Sequence, residues 1–249
     1  MISLFSEVYL IYASAAFLGG FINSLAGGGT LITLPVLIFS GLPPIMANAT
    51  SAAALLPGYL STALGFKKDI LNILKKDLVM VVFLCTLFSL TGAFFLVTTT
   101  DEVFGDIVPW LIAFATLLFA LKPILDKTLF QGSNTLRNLG LSLISTYGGY
   151  FNGGLGIALL ATISLGKEKD LNTLMGMRSL LSFFITLTSV SFFYFYELIA
   201  VQIAMIMMLF SFTGGYIGSK AFQLIPPDYA RYLIILIGLS ITITLFIQR

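Results

Sequence analysis

Long stretches without a single charged side chain dominate this sequence. Residues 8–66 contain no Asp, Glu, Lys or Arg, and the same holds for six further stretches. These six are residues 78–100, 107–121, 138–166, 179–196, 198–219 and 232–248. A helix that crosses the hydrocarbon core of a bilayer needs about 20 predominantly apolar residues. The sequence therefore predicts an all-α integral membrane protein that crosses the bilayer several times.

The composition excludes several other classes of protein. Only 10% of the 249 residues are charged, whereas soluble domains carry about 25%. The chain has no His and a single Cys, Cys85, so neither a disulfide framework nor the usual zinc and haem ligands are present. The net charge of +2 gives no basic footprint for nucleic acid. We expect no cofactor, no metal site and no nucleic-acid partner.

Apolar blocks and glycine clusters together predict about eight transmembrane helices and two short half-helices. The long helices are predicted over residues 8–25, 46–65, 77–98, 107–122, 138–151, 171–193, 198–219 and 229–247. The half-helices are predicted over 30–39 and 155–165, and each follows a break rich in glycine. One break is Ala26-Gly27-Gly28-Gly29 and the other is Asn152-Gly153-Gly154.

The two halves of the chain resemble each other, which indicates a duplicated unit of two repeats, 1–127 and 128–249. Three short segments recur in the same order, at offsets of 129, 128 and 122 residues. The matched pairs are 19–23 with 148–152, 48–51 with 176–179, and 89–94 with 211–216. The alternative is a chance match among glycine-rich helices.

Loop charges favour an inverted orientation of the two repeats. If each half-helix returns to the side its long helix came from, each repeat crosses the membrane an odd number of times. Apart from Arg178, 11 cations then lie on one side and one, Arg249, on the other. The 11 are Lys67, Lys68, Lys75, Lys76, Lys122, Lys127, Arg137, Lys167, Lys169, Lys220 and Arg231. If the half-helices instead complete a crossing, the repeats are parallel, and 8 cations lie on one side of the membrane against 4 on the other. The positive-inside rule therefore favours the inverted arrangement, with the cation-rich side in the cytoplasm and both termini outside.

The two breaks are the first candidates for a ligand site. Unwound backbone at membrane depth is tolerated where it is buried in protein or lines a cavity. The half-helix that begins at Thr30 points its N-terminal amides at the first break, and the second half-helix does the same at the other break. Helix N-termini attract anions, and inverted repeats with broken helices are typical of transporters. The alternative is that these glycines only permit close helix packing.

Arg178 is the second candidate, because it lies seven residues into a predicted membrane helix. A cation at such depth costs at least about 2.5 kcal/mol, so it needs a carboxylate, a set of carbonyls or an anionic ligand. The alternative is that its side chain snorkels to the cytoplasmic surface. The predicted substrate-binding residues are Asn23, Gly27, Gly28, Gly29, Thr30, Asn48, Thr50, Ser51, Asn152, Gly153, Gly154, Arg178 and Ser179.

These motifs resemble those of the sulfite exporter TauE/SafE family. The resemblance is carried by the Asn-x-x-Ala-Gly-Gly-Gly break, Leu34-Pro35, Gly-Leu-Pro-Pro at 41–44 and Ala-Asn-Ala-Thr-Ser at 47–51. A degenerate second copy follows at 148–179, so the likeness covers essentially the whole chain. The resemblance implies export of sulfite, sulfonates or related organosulfur anions across the bacterial inner membrane.

The leading hypothesis is a secondary transporter, not an enzyme, that moves a small anion by alternating access between two inverted repeats. No Gly-x-x-x-x-Gly-Lys-Ser/Thr motif is present to drive transport by nucleotide hydrolysis. Either the anion moves down its gradient, helped by the membrane potential, or it carries a proton itself. One alternative is an integral-membrane enzyme acting on lipid head groups, and another is a structural or assembly subunit. The oligomeric state stays open.

Overall fold

The computed structural model describes residues 2–71, 73, 75–125, 133–166, 170–222, 224 and 227–247. These residues form helices joined by short connections and contain no strand, as predicted. In chain order the described helices are α1 (Ile2–Leu25), α2 (Thr30–Phe39), α3 (Pro44–Gly65), α4 (Lys67–Ile70), α5 (Lys75–Thr98), α6 (Asp101–Leu125), α7 (Asn134–Tyr150), α8 (Leu155–Ile163), α9 (Leu171–Phe195), α10 (Val201–Ala221) and α11 (Pro227–Ile247).

The predicted helices are present, but several begin at other residues. Helix α1 begins at Ile2 rather than 8. Helix α6 begins at Asp101 rather than 107, because the Thr100 hydroxyl accepts the Val103 amide and acidic residues in the first turn stabilise a helix N-terminus. Helix α7 begins at Asn134 rather than 138, because the Ser133 hydroxyl caps it by accepting the Leu136 amide. The four-residue helix α4 was not predicted.

Six of the described helices are long and apolar enough to cross a membrane: α1, α5, α6, α9, α10 and α11. Helices α3 and α7 have 22 and 17 residues but are less apolar. The chain is therefore a multi-pass membrane protein. The count of eight crossings and the inverted orientation stay predictions.

Arg137 was predicted as a loop cation, but it lies in the first turn of α7 and is 5% exposed. Its guanidinium donates two hydrogen bonds to the Asp77 carboxylate, from Nη1 at 2.8 Å and from Nη2 at 2.7 Å. This buried ion pair joins α5 to α7. Its partner lies 60 positions away in sequence, so no local pattern indicated it.

Several other predicted features lie outside the described residues. They are the boundary between the predicted repeats at 127 and 128, the residues Lys127, Lys167, Lys169 and Arg249, and the side chains of Lys75, Lys76 and Lys122.

Both predicted breaks are present, and each contains a glycine in the left-handed region of backbone space. Gly27 has φ +91° between α1 and α2, and Gly154 has φ +73° immediately before α8. Residues other than glycine adopt such angles at a cost. These two positions therefore end one helix and allow the next to start in a new direction.

Equivalent helices of the two halves pair crosswise. Helix α1 packs on α10 as α7 packs on α5, and α3 packs on α10 as α9 packs on α5. The glycine contacts repeat the pattern: Gly20 of α1 abuts the Ser211 carbonyl of α10, and Gly149 of α7 abuts the Ser89 carbonyl of α5. These four residues are the pairs that the sequence matches equate. The packing thus follows an approximate twofold relation between the halves.

The first break meets the start of α8 at Gly27 and Gly156, which correspond to each other at the 129-residue offset of the predicted repeats. A Cβ atom on Gly27 would lie 2.7 Å from the Cα of Gly156, and one on Gly156 would lie 2.5 Å from the Cα of Gly27. Real Cβ contacts are essentially never under 3.0 Å. The backbones of the two halves are therefore in direct contact at this point.

Candidate functional site

The guanidinium of Arg178 lies in the interior of the helix bundle, beside the first break. Arg178 is on the third turn of α9 and is 2% exposed. Its Nη2 donates hydrogen bonds to the main-chain oxygens of Asn23 and Ser24, both at 2.9 Å. Both carbonyls belong to the last turn of α1. The head group thus lies at the helix break and not at the protein surface.

The last turn of α1 offsets part of this positive charge. Helix C-termini carry roughly half an elementary negative charge on their free carbonyls. Within the described residues, the hydrogen-bond partners of Arg178 are these carbonyls and no carboxylate. Its Nη1 is buried and has no hydrogen-bond partner there. Arg178 therefore keeps a net positive charge and one unused donor inside the protein.

A hydrogen-bonded chain links the two halves next to Arg178. The Tyr59 hydroxyl of α3 donates to Asn152 Oδ1 at 3.1 Å, and Asn152 Nδ2 donates to the Thr186 hydroxyl of α9 at 2.9 Å. Tyr59 also interacts with Thr30 and, electrostatically, with the Arg178 guanidinium. Tyr59 thereby connects the first half to the second break.

We call the side chains around this point the central polar cluster. Its members are all at most 3% exposed and belong to both halves of the chain. They are Asn23, Thr30, Tyr59, Asn152, Arg178 and Thr186. Two further buried atoms of the cluster, Thr30 Oγ1 and Asn23 Oδ1, have no hydrogen-bond partner in the part of the chain that the structure describes. The cluster therefore has unused polar groups, which a small polar ligand could bind.

The glycines of the breaks are packed against protein atoms. Gly28 faces the side chains of Ile234 and Phe119, and Gly29 faces the carbonyl of Gly19. Gly154 faces Ala115. Gly153 lies against the Phe151 ring, and its carbonyl accepts a hydrogen bond of 2.5 Å from the Tyr147 hydroxyl. In this conformation these glycines allow close packing around the breaks.

The other predicted site residues bond elsewhere. Asn48 donates to the Tyr150 carbonyl at 3.0 Å, and the Thr50 hydroxyl accepts the Ala200 amide at 3.0 Å. Asn48 and Tyr59 are 11 residues apart on α3, a rise of about 16 Å. The structure therefore places Asn48 away from the central polar cluster.

Ser51 and Ser179 also have partners outside the cluster. The Ser51 hydroxyl lies 2.6 Å from that of Thr33, which joins α3 to α2. The Ser179 hydroxyl donates to the Met175 carbonyl of its own helix at 2.9 Å.

Tyr59 and Thr186 were not among the predicted site residues. Both lie in apolar helices in which Tyr, Ser and Thr recur, and neither stands in one of the three matched segments. One usable signal was spacing, because Thr186 is eight residues after Arg178 and helix positions i and i+8 share a face.

Comparisons with known proteins agree on the class of this chain. The family model described as "Sulfite exporter TauE/SafE" matches residues 12–245. A "Probable membrane transporter protein ORF9" of Sinorhizobium sp. is 27% identical over 239 residues, which cover 93% of this chain and 89% of the relative. A "Probable membrane transporter protein" of Haemophilus influenzae is 26% identical over 245 residues, which cover 95% of this chain and 93% of the relative. "Probable membrane transporter protein YfcA" of Escherichia coli K12 is 31% identical over 113 residues, 45% and 41% of the two chains. No solved structure matches the chain significantly.

Proposed function

Because the chain belongs to the sulfite exporter TauE/SafE family and is a membrane transporter, we propose that it exports a small oxyanion, sulfite or a sulfonate, across the bacterial inner membrane. The observation that carries this proposal is Arg178. Its side chain is a buried cation in which Nη2 donates to helix carbonyls, while Nη1 has no partner among the described residues. Such a cation is suited to bind an anionic ligand.

The charge at the site favours a monoanion. Arg178 supplies one positive charge, of which the α1 carbonyls offset roughly half. A ligand with one negative charge, such as hydrogen sulfite or a sulfonate, then leaves about half a charge unbalanced, whereas a dianion leaves about one and a half. A dianion such as sulfate would leave excess charge buried in a medium of low dielectric constant, which costs free energy. The substrate is therefore a singly charged oxyanion.

The membrane potential can drive export of such an anion. Moving one elementary charge across 100 mV is worth about 2.3 kcal/mol, which corresponds to about a 50-fold concentration ratio. An inside-negative potential pushes a monoanion outward by that amount. A hydrogen sulfite ion also carries its own proton, so no intramembrane proton carrier is required.

The two helix breaks form the point around which transport takes place. In the proposed mechanism the repeats are inverted and rock about the contact between Gly27 and Gly156. The central polar cluster then opens to the cytoplasm and the periplasm in turn, with both termini periplasmic. Every residue of the central polar cluster is buried, which supports the interpretation of this conformation as the occluded state, closed to both sides of the membrane.

The test is anion efflux from proteoliposomes that contain the purified protein. Vesicles are loaded with sulfite, methanesulfonate or sulfate, and an inside-negative potential is set with potassium and valinomycin. We expect protein-dependent efflux of sulfite and methanesulfonate that exceeds sulfate efflux, and that rises with the potential. Protein-free vesicles are the control. Efflux equal to that of the protein-free vesicles for all three anions would refute the proposal.

A further inference from the structure

The buried face of α9 has a polar residue on each of three successive turns. Arg178, Ser182 and Thr186 stand at positions i, i+4 and i+8, so their side chains lie along one face of the helix. They are 2%, 1% and 0% exposed. Arg178 and Thr186 belong to the central polar cluster. Ser182 lies between them and has no role assigned so far.

The hydroxyl of Ser182 does not behave like most other buried hydroxyls on these helices. Buried Ser and Thr in helices usually donate to a carbonyl one turn back, as Ser179 does to Met175 and Ser189 does to Thr186. Ser182 Oγ is buried and has no hydrogen-bond partner among the residues described. A buried hydroxyl without a partner destabilises the protein.

Two other hydroxyls in the described part of the chain share this property. Ser145 lies beside the Cys85 thiol, where α7 packs on α5. Thr30 lies beside Tyr59, which interacts electrostatically with Arg178, so it belongs to the central polar cluster.

The interactions of Tyr59 lie on both sides of Ser182 along α9. The Tyr59 hydroxyl interacts electrostatically with Arg178 and is bonded through Asn152 to Thr186. Ser182 lies between Arg178 and Thr186 on the same helix face. Arg178 Nη1, Thr30 Oγ1 and Ser182 Oγ are all buried and have no hydrogen-bond partner among the described residues.

We propose that Ser182 is a ligand of the transported anion, with its hydroxyl donating to one anion oxygen while Arg178 Nη1 and the Thr30 hydroxyl donate to the others. This inference rests on the function proposed above. Three donors from α2 and α9 match the three oxygens of a sulfonate head group or of hydrogen sulfite. Ser182 then sets selectivity, because a ligand with fewer oxygens leaves its hydroxyl unpaired.

The test compares Ser182→Ala with the matched control Ser189→Ala. Both serines are buried on α9, but the Ser189 hydroxyl is already bonded to the Thr186 carbonyl. For each purified variant, thermal unfolding is measured without anion, and the affinity for sulfite and for methanesulfonate is measured by calorimetry. Ser182→Thr restores a hydroxyl and serves as the rescue variant.

We expect opposite changes in stability and affinity. Ser182→Ala removes an unpaired hydroxyl, so its Tm without anion should equal or exceed that of the wild type. Its affinity for both anions should fall about tenfold or more, as expected for one lost hydrogen bond to a charged group. Ser189→Ala should keep wild-type affinity, and Ser182→Thr should recover most of it.

Three outcomes overturn the inference. If the wild type binds these anions and Ser182→Ala binds them equally well, Ser182 is not a ligand, while the proposed function stands. If Ser182→Ala lowers Tm and affinity together and Ser182→Thr restores neither, the residue has a packing role. If the wild type binds none of the anions, the proposed function itself fails and the inference fails with it.

Discussion

Replacing Arg178 by Lys separates the contact that its guanidinium makes with α1 from the anion contact that we propose for it. In the wild type, Nη2 holds the carbonyls of Asn23 and Ser24 at 2.9 Å, while Nη1 has no partner among the described residues. Lys keeps the charge but has a single ammonium group in place of the planar fork. An ammonium that stays on the α1 carbonyls cannot also present a second, separate nitrogen to an anion.

The expected loss is that of one charge-assisted hydrogen bond to the ligand. Such bonds are worth about 1.5–3 kcal/mol, so the affinity for sulfite or methanesulfonate should fall by about 10- to 100-fold. The α1 contacts remain within reach of the ammonium, so Arg178→Lys should stay folded and should insert into membranes. Calorimetry in a single detergent measures the affinity, and size-exclusion chromatography verifies the fold.

Arg137→Lys is the matched control. Arg137 is also buried, and both of its terminal nitrogens donate to the Asp77 carboxylate. Losing that fork should lower the thermal stability of the control variant and leave anion affinity unchanged. Equal affinity in Arg178→Lys and the wild type, or an equal loss in both variants, would refute the assignment of Arg178 Nη1 to the ligand.

Three shorter predictions follow from other parts of the structure. Gly156→Ala should abolish anion efflux, because its Cβ would lie 2.5 Å from the Gly27 Cα. The control Gly105→Ala should retain efflux, because its Cβ would meet only Pro44 at 3.6 Å. Equal efflux in both variants would contradict a role for the contact between Gly27 and Gly156. Reporter fusions at Lys169 and Asp101 should report opposite sides of the membrane, and a shared side would contradict the inverted repeats. Hydrogen bonds from the Thr173 side chain and amide hold the pKa of Asp170 below its ordinary value, so this cap stabilises α9 at neutral pH and is lost as the pH falls through that lowered pKa. Asp170→Ala should therefore lower the Tm at pH 7 by more than in acid, and a Tm difference that does not change with pH would argue against the cap.

The helices were predictable because a segment that crosses the bilayer must be helical and must be apolar over the thickness of the hydrocarbon core. The length of an apolar stretch therefore indicates the length of a helix. The breaks were predictable from Gly27 and from Gly153-Gly154, since few other residues interrupt an apolar helix so strongly. Helix starts were less predictable. Helix α6 begins at Asp101 rather than 107, because the Thr100 hydroxyl caps it and acidic residues occupy its first turn, which hydropathy alone does not indicate.

The site was predictable only where a residue is anomalous for its surroundings. Arg178 is such a residue, and its partner carbonyls at Asn23 and Ser24 lie in the segment that the first break identified. Tyr59 is an ordinary residue for a membrane helix, and its place in the central polar cluster depends on contacts with the other half of the chain, such as the one with Asn152. Those contacts follow from the crosswise pairing of helices, which loop charges and hydropathy do not encode.

The most direct test of the central claim asks whether the buried cluster opens to both sides of the membrane. Thr30 is 1% exposed, and the chain's single cysteine, Cys85, is buried, so Thr30→Cys in a Cys85→Ser background places one thiol in the cluster. The measurement is the rate of labelling by a membrane-impermeant maleimide in right-side-out and inside-out vesicles, with wild-type Cys85 as the unlabelled control. We predict labelling from both sides, slowed by methanesulfonate and not by gluconate. Labelling from one side alone, or a rate that methanesulfonate leaves unchanged, would contradict an anion site that opens alternately to each face.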